Sequence, residues 1–459
     1  MDEKVIERLA EIVGSEFVLT AERIGPYLYD QTEACLRPKA SRESVVVRPS
    51  GAREISDIMK LANAKQITVV VRGGGTGLCG AAIPIMPSIV ISMERMKRII
   101  EVDEKNFIIT LESGVTLREM NDYLKKNSIF YFPSHSGDEN AQLGGLVAEN
   151  AGGVKSGKHG VMRNNIRGLE VVLPTGEIVQ LNGKLQKNNA GYDLMQLVIG
   201  SEGTLCVVTK VMLRLYPEPR FNGTILVSFA NFDQATDAST KILQTGVVPL
   251  AIEYLDRTIA RKTADFLHED WPLKRGKVDL LFVMAEDNED ALFNVGGIIE
   301  EICSSSGAVE SVVLDGRDEQ ERILNIRNST YYATKPYLAD TLDITVPPAS
   351  IPGLMKGFNS IAGKYGAVFD TVGHVGDGNV HNNIYLVNDE IPVYYEEMKA
   401  ELYALAIGMG GTITGEHGIG KTRRRNLAVQ LDETQVDLMR GIKKLFDPNN
   451  ILNPETAII

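Results

Sequence analysis

The sequence predicts an α+β protein of two domains followed by a C-terminal helical segment, and three observations lead there. The chain has 459 residues, more than a single hydrophobic core usually serves. Short β-branched runs outnumber helical patterns over residues 45–215, whereas over 224–314 the order strand, helix, strand occurs twice. A Pro217-Glu218-Pro219 cluster separates the two regimes.

Residues 1 to about 15 read as a helix, with Val5, Ile6, Leu9, Ile12 and Val13 at helical spacing and Gly14 as its stop. After an irregular stretch to about Arg42 come a strand at 45–47 and a helix over 54–65, carried by Ile55, Ile58, Met59 and Ala62. Residues 67–71, 89–92 and 107–111 are strands, and Thr116 with Glu119 forms a capping box that opens a helix to about Lys126. Strands at 168–173 and 177–181 flank the turn Pro174-Thr175-Gly176, and 204–215 is a further strand. In the second region, strands 224–229, 249–255, 278–285 and 309–314 with helices 233–243 and 289–304 make two split β-α-β units. That order predicts a ferredoxin-like sheet with helices on one face. A helix over 350–364, strands near 367–372 and 382–387, a helix from 393 to about 408, and a single last helix over 427–446 complete the reading. The expected layout is an N-terminal segment 1–40, a first domain 41–219, a second 220–420, and a helical segment 421–459 that returns to the first domain.

Apolar residues make up 44% and charged residues 24% of the chain, as in an ordinary globular protein, and the net charge of −12 speaks against a nucleic-acid partner. The four cysteines, Cys35, Cys79, Cys206 and Cys303, form no C-x-x-C pair, so a zinc knuckle and a cysteine-rich iron–sulfur motif are excluded and a reducing, cytoplasmic setting is expected. The amphipathic N-terminus lacks the apolar core of a secretory signal, and no uncharged apolar run approaches a transmembrane segment.

Gly75-Thr76-Gly77-Leu78-Cys79-Gly80 matches the G-x-G-x-x-G dinucleotide pattern after a strand. A Rossmann turn must open a helix, and Pro84 and Pro87 follow too soon for one. Two readings remain: a structural turn, or a nest of backbone N–H groups, bared by glycine, that holds a pyrophosphate without a helix dipole. Pro133-Ser134-His135-Ser136-Gly137-Asp138, Gly144-Gly145, Asn150-Ala151-Gly152-Gly153 and Gly200-Ser201-Glu202-Gly203-Thr204 add loops of the same character.

The order Arg72-Gly73-Gly74-Gly75-Thr76-Gly77, Pro133-Ser134 with Ser136-Gly137-Asp138, Gln142-Leu143-Gly144-Gly145, Glu149-Asn150-Ala151-Gly152-Gly153, Gly191-Tyr192-Asp193-Leu194 and Gly200-Ser201-Glu202-Gly203-Thr204-Leu205 resembles the FAD-binding domain of the vanillyl-alcohol-oxidase-type (PCMH-type) flavoproteins. It is most similar to the branch holding D-lactate dehydrogenases, the flavin subunit of glycolate oxidase and D-2-hydroxyglutarate dehydrogenase. The resemblance covers nearly the whole chain and implies an FAD site under a cap domain. It places Arg72, Gly73, Gly74, Gly75, Thr76, Gly77, Leu78, Pro133, Ser134, Gly137, Asp138, Gly144, Gly145, Asn150, Gly152, Gly153, Ser156, Glu202 and Asn453 at the cofactor. Relatives that attach FAD covalently use a His directly after the first loop; Gly75 and Thr76 stand there, so noncovalent FAD is expected.

Three of the six histidines lie in His374-Val375-Gly376-Asp377-Gly378-Asn379-Val380-His381 and Gly415-Glu416-His417-Gly418-Ile419-Gly420. By residue type alone these are either loop histidines bonded to backbone or, with a carboxylate, a three-ligand site for Zn, Mn or Fe open to substrate. The resemblance implies the latter, with His374, His381 and Glu416 as ligands of a divalent metal and His417 as the base. It also implies Arg327 as the bidentate clamp on a substrate carboxylate, with Asn383 as a second contact; the alternative for Arg327 is a surface ion-pair residue. D-2-hydroxyglutarate enzymes carry a Lys before an Asp-Leu-Ser-Leu-Pro run, whereas Thr341-Leu342 precede Asp343-Ile344-Thr345-Val346-Pro347 here. A small monocarboxylate is therefore favoured over a dicarboxylate.

These residues suit oxidation of an alcohol next to a carboxylate, where a cation lowers the hydroxyl pKa and a neutral imidazole accepts its proton. The leading expectation is a D-lactate dehydrogenase whose electrons pass to an electron-transfer flavoprotein or another electron-accepting subunit, because no iron–sulfur or haem motif takes them further. A glycolate oxidase flavin subunit, a non-catalytic flavoprotein subunit and a metal hydrolase are the alternatives.

Overall fold

The N-terminal helix Glu3–Val13 buries Val5, Leu9 and Val13 and stops where Gly14 turns to φ +92°. It opens a computed structural model that describes residues 1–133, 137–314 and 316–458. Two compact units emerge: residues 1–152, 161–218 and 416–459 form the first, and 153–160 with 219–415 form the second.

In the first unit a small sheet runs in the order Val18–Leu19, Val45–Val47, Ser88–Ser92, Thr68–Arg72, its last three strands parallel. The helix Ala52–Lys65 covers it with Ile55, Ile58, Met59 and Ala62, all fully buried. A five-stranded antiparallel sheet has the order Ile99–Asp103, Ile108–Glu112, Val207–Arg214, Ile166–Val172, Ile178–Asn182. The helix Leu117–Asn127 carries the capping box of Thr116 and Glu119, and Leu143, Leu146, Val147 and Met162 from two short helices fill the core of this sheet. The chain's last segment closes the first sheet: Ile451 C=O accepts from Val69 N–H at 2.7 Å, and Asn453 N–H donates to Val69 C=O at 2.7 Å.

The expected single helix over 427–446 is two helices, Leu427–Gln430 and Glu433–Phe446. Asp432 interrupts it, because its carboxylate accepts from Gln435 N–H at 2.8 Å while Gln435 returns a bond to Asp432 N–H. Competing side-chain bonds of this kind favour a cap over a helix interior.

The second unit is one seven-stranded antiparallel sheet in the order Ala308–Leu314, Phe221–Phe229, Val278–Glu286, Ala251–Asp256, Phe369–His374, Asn379–Tyr385, Leu338–Thr345. The first four follow the ferredoxin-like order 4-1-3-2, and their crossover helices Phe232–Gln244 and Glu289–Ser305 pack together on one face. Strand Leu338–Thr345 and helices Arg257–Phe266, Arg317–Asn328 and Thr330–Thr334 escape the sequence reading. In the strand, Asp340, Thr341 and Asp343 break the apolar pattern, and each is buried with a partner. Among the described residues no helix is long and apolar enough to cross a membrane.

Candidate functional site

Pairing in the second unit sets polar residues in rows on one sheet face. Residues directly opposite one another share a face, so Glu253, His374, Asn379 and Thr345 form one row, Leu255, Val372, His381 and Asp343 the next, and Asp370, Asn383 and Thr341 a third. A slip of one residue would turn all of them to the other face. His374 and His381 are thereby diagonal neighbours, with ring centroids 5.4 Å apart and planes at 88°.

Arg327, in the last turn of helix Arg317–Asn328, meets the same row. Its Nε lies 2.5 Å from Glu253 Oε2 and its Nη2 lies 3.4 Å from His374 Nδ1. Glu253 Oε1 is 2.8 Å from His374 Nδ1. Burial alone would raise the Glu253 carboxyl, but Arg327 and His374 outweigh it and hold it below its ordinary value. A charged acceptor at 2.8 Å outweighs a donor at 3.4 Å at Nδ1, so Nδ1 carries a proton toward Glu253. Arg327 is thus a buried ion-pair residue, not a surface one.

Asp343 backs the second ring, with Oδ1 3.4 Å from His381 Nδ1. It also accepts from Asn379 Nδ2 at 2.9 Å, Thr414 Oγ1 at 2.8 Å and Gly415 N–H at 2.9 Å. Asn383 is braced between Asp370, to which its Nδ2 donates at 2.9 Å, and Thr341, whose hydroxyl donates to its Oδ1 at 3.0 Å.

Glu416 and His417 open the last segment of the first unit, one residue beyond Gly415. Glu416 lies against Gly152, where a Cβ would come within 2.5 Å of its Oε2. The turn after His417 is pinned by the buried Glu202, which accepts from Ile419 N–H at 2.9 Å and Gly420 N–H at 2.6 Å. Burial raises the Glu202 carboxyl against those two bonds. Cys79 C=O accepts from Lys421 N–H at 2.8 Å, and Lys421 Nζ donates to Ala81 C=O at 2.8 Å and Thr456 Oγ1 at 2.8 Å. Burial lowers the Lys421 ammonium to about 8. Asn453 ties the same region together, accepting from Val71 N–H at 3.0 Å and donating to Glu202 C=O at 3.1 Å.

The glycines of the first unit fall into two sets. Gly74 and Gly144 are required by packing, since a Cβ would lie 2.5 Å from Asn140 C=O and 2.7 Å from Ser113 Cβ respectively, and Gly75 by its φ of +71°. Gly73, Gly77 and Gly145 have neither reason: no atom lies within 3.5 Å of their Cβ positions and none has a left-handed φ. Bare backbone there suits close approach by a ligand. Beside them Gln142 Oε1 and Ser113 Oγ are buried without a hydrogen-bond partner among the described residues, a state native chains rarely leave unanswered. Thr76 and Leu78 share the first loop, whose Arg72 donates to Tyr29 C=O at 2.9 Å. Asp138 accepts from Gln31 Nε2 at 2.8 Å, and Asn150 caps the helix Leu143–Glu149 in a left-handed conformation. Gly137 follows buried Pro133 across the break in the described residues, and Ser134 lies outside them. Gly153 and Ser156 fall in the short 153–160 segment of the second unit, where Ser156 Oγ accepts from Gly153 N–H at 2.9 Å.

Residues 218–457 match the model of FAD linked oxidases, C-terminal domain, and 44–182 that of the FAD binding domain. The chain belongs to the FAD-linked oxidases. This FAD-linked oxidase is 38% identical over 432 residues to D-lactate dehydrogenase of Archaeoglobus fulgidus, covering 94% of this chain and 95% of the relative. It is 34% identical to the glycolate oxidase subunit GlcD of Bacillus subtilis over 432 residues, 93% of this chain and 91% of the relative. Among solved structures, p-cresol methylhydroxylase with substrate bound superposes with a TM-score of 0.81 at 16% identity, over 99% of this chain and 96% of that one. A 4-ethylphenol oxidase from Gulosibacter chungangensis gives 0.79 at 18%, over 100% and 97%. The fold of this FAD-linked oxidase is therefore of the vanillyl-alcohol-oxidase type, and it is an FAD-dependent oxidoreductase.

Sequence reasoning missed Glu253 and Asp343 as site residues. Both left a signal: a lone carboxylate inside an apolar strand, in Ala251-Ile252-Glu253-Tyr254-Leu255 and Leu342-Asp343-Ile344.

Proposed function

We propose that this FAD-linked oxidase converts a small D-2-hydroxy acid, D-lactate first among them, to the 2-oxo acid. The observation that carries the reading is the sheet face on which Arg327, His374 and His381 stand together, each backed by a buried carboxylate. Rings fixed by carboxylates on one nitrogen present the other as a ligand atom, and the two rings are close neighbours with centroids 5.4 Å apart. His374 and His381 would hold a divalent Zn, Mn or Fe ion, and the family resemblance adds Glu416 as its third ligand. The ion would lower the pKa of the substrate hydroxyl, and noncovalent FAD would supply the hydride acceptor, cradled by the unit bearing the bare glycines. Arg327 holds the substrate carboxylate, Asn383 lends a second polar contact, and His417 takes the hydroxyl proton on a turn pinned by Glu202.

Electrons leave to an electron-transfer flavoprotein or another accepting subunit in the cytoplasm. Similarity to GlcD favours glycolate as the second reading. The deciding experiment is an anaerobic visible spectrum with D-lactate, L-lactate and glycolate in turn. Bleaching by D-lactate, abolished by chelation and restored by metal, supports the proposal; bleaching by glycolate alone selects the second reading, and none with any 2-hydroxy acid overturns both.

A further inference from the structure

We infer that Glu253 is a positioning residue that couples the metal ligand to the substrate anchor, a role that rests on the function proposed above. Its carboxylate is fully buried in the middle of the sheet, between Ile252 and Tyr254 and opposite Leu281. For stability alone an apolar residue would serve at least as well, since a buried ion pair must first overcome its own desolvation. What the carboxylate provides is orientation. One oxygen sits 2.8 Å from His374 Nδ1 and the other 2.5 Å from Arg327 Nε. The first contact commits the imidazole proton to Nδ1 and leaves Nε2 as the ligand atom. The second sets its negative charge against the Nε edge of the guanidinium as an ion pair, while Nη1 has no protein hydrogen bond among the described residues. One side chain therefore serves two partners at once: it orients the ring holding the cation, and its charge holds in place the guanidinium meeting the substrate carboxylate.

The test compares full-length, FAD-loaded wild type with Glu253→Gln and Glu253→Asp. Metal-stripped protein is titrated with Mn²⁺ or Zn²⁺ alone by calorimetry, with FAD content and thermal midpoint as folding controls. Glu253→Gln is expected to weaken metal binding by about 10–100-fold, the usual consequence of losing a partner of a ligating histidine. Flavin reduction at saturating D-lactate should slow by about 10-fold or more, while KM moves less than about threefold. A freed guanidinium still attracts the carboxylate but no longer holds it in register. Glu253→Asp keeps the buried charge but cannot span both partners, so it should weaken metal in the same direction by less. If Glu253→Gln does not fold, Glu253→Asp decides alone. Folded variants that bind metal within twofold of wild type overturn the coupling and leave the proposed function standing. A wild type that binds no divalent ion overturns the metal reading and the coupling together. The titration needs no substrate, so it judges Glu253 even if the substrate assignment fails.

Discussion

At the scale of single residues, two adjacent glycines separate folding from binding. Gly145 has no atom within 4 Å of its Cβ position, so Gly145→Ala should stabilise the cofactor-free helix by about 0.5–1 kcal/mol while weakening FAD retention. Gly144→Ala places its Cβ 2.7 Å from Ser113 Cβ and should cost about 1–3 kcal/mol through overpacking. Thermal melts with and without FAD measure both, and equal effects from the two substitutions would refute the distinction. His417→Ala should keep the yellow cofactor yet slow flavin reduction by roughly 10²–10⁴-fold, the range for general-base assistance; stopped-flow reduction by D-lactate checks it. The histidines and Arg327 entered the reading through the family resemblance, because residue type and spacing alone left loop and surface alternatives open. Glu253 and Asp343 were not, because a carboxylate inside an apolar strand acquires meaning only when the register names its partners.

Among the elements, those with local causes read well. The capping box of Thr116 and Glu119, the stop at Gly14 and the two split β-α-β units needed no long-range information. The strand Leu338–Thr345 hid because long-range partners satisfy its polar side: Tyr395 O–H donates to Asp340 Oδ2 at 2.6 Å, and Thr414 and Gly415 donate to Asp343. Its edge is paired by the chain itself, Thr412 N–H donating to Thr345 C=O at 2.8 Å, which protects an otherwise open ladder. Asp432 offers the cleanest test at this scale. Asp432→Ala removes the cap of the helix Glu433–Phe446 and should cost about 1 kcal/mol, read as a lower urea midpoint; no change would mean that the box contributes nothing.

For the molecule as a whole, acid should reveal one buried carboxylate. Burial lifts Asp256 to about 6, against hydrogen bonds from Tyr254 O–H and Thr371 N–H, both at 2.7 Å. An unfolded Asp titrates near about 3.9, so between pH ~4 and ~6 the folded chain holds a proton that the unfolded chain has released. The contribution of this group favours folding below about pH 4 and is lost as pH rises through 6. Asp256→Asn, which can still meet both partners, should therefore gain stability relative to wild type at pH 7 and not at pH 4. Urea midpoints at the two pH values measure it, and a difference that does not vary with pH would exclude the assignment.

The first sheet is finished by residues 451–453, nearly four hundred positions after Val69, the residue they bond. During synthesis that strand must wait on the ribosome, its edge unfilled, while the whole of 219–415 emerges and can fold first. The unit that receives the flavin is thus the last to be completed, and a chain shortened by its final ten residues should emerge unable to keep its colour.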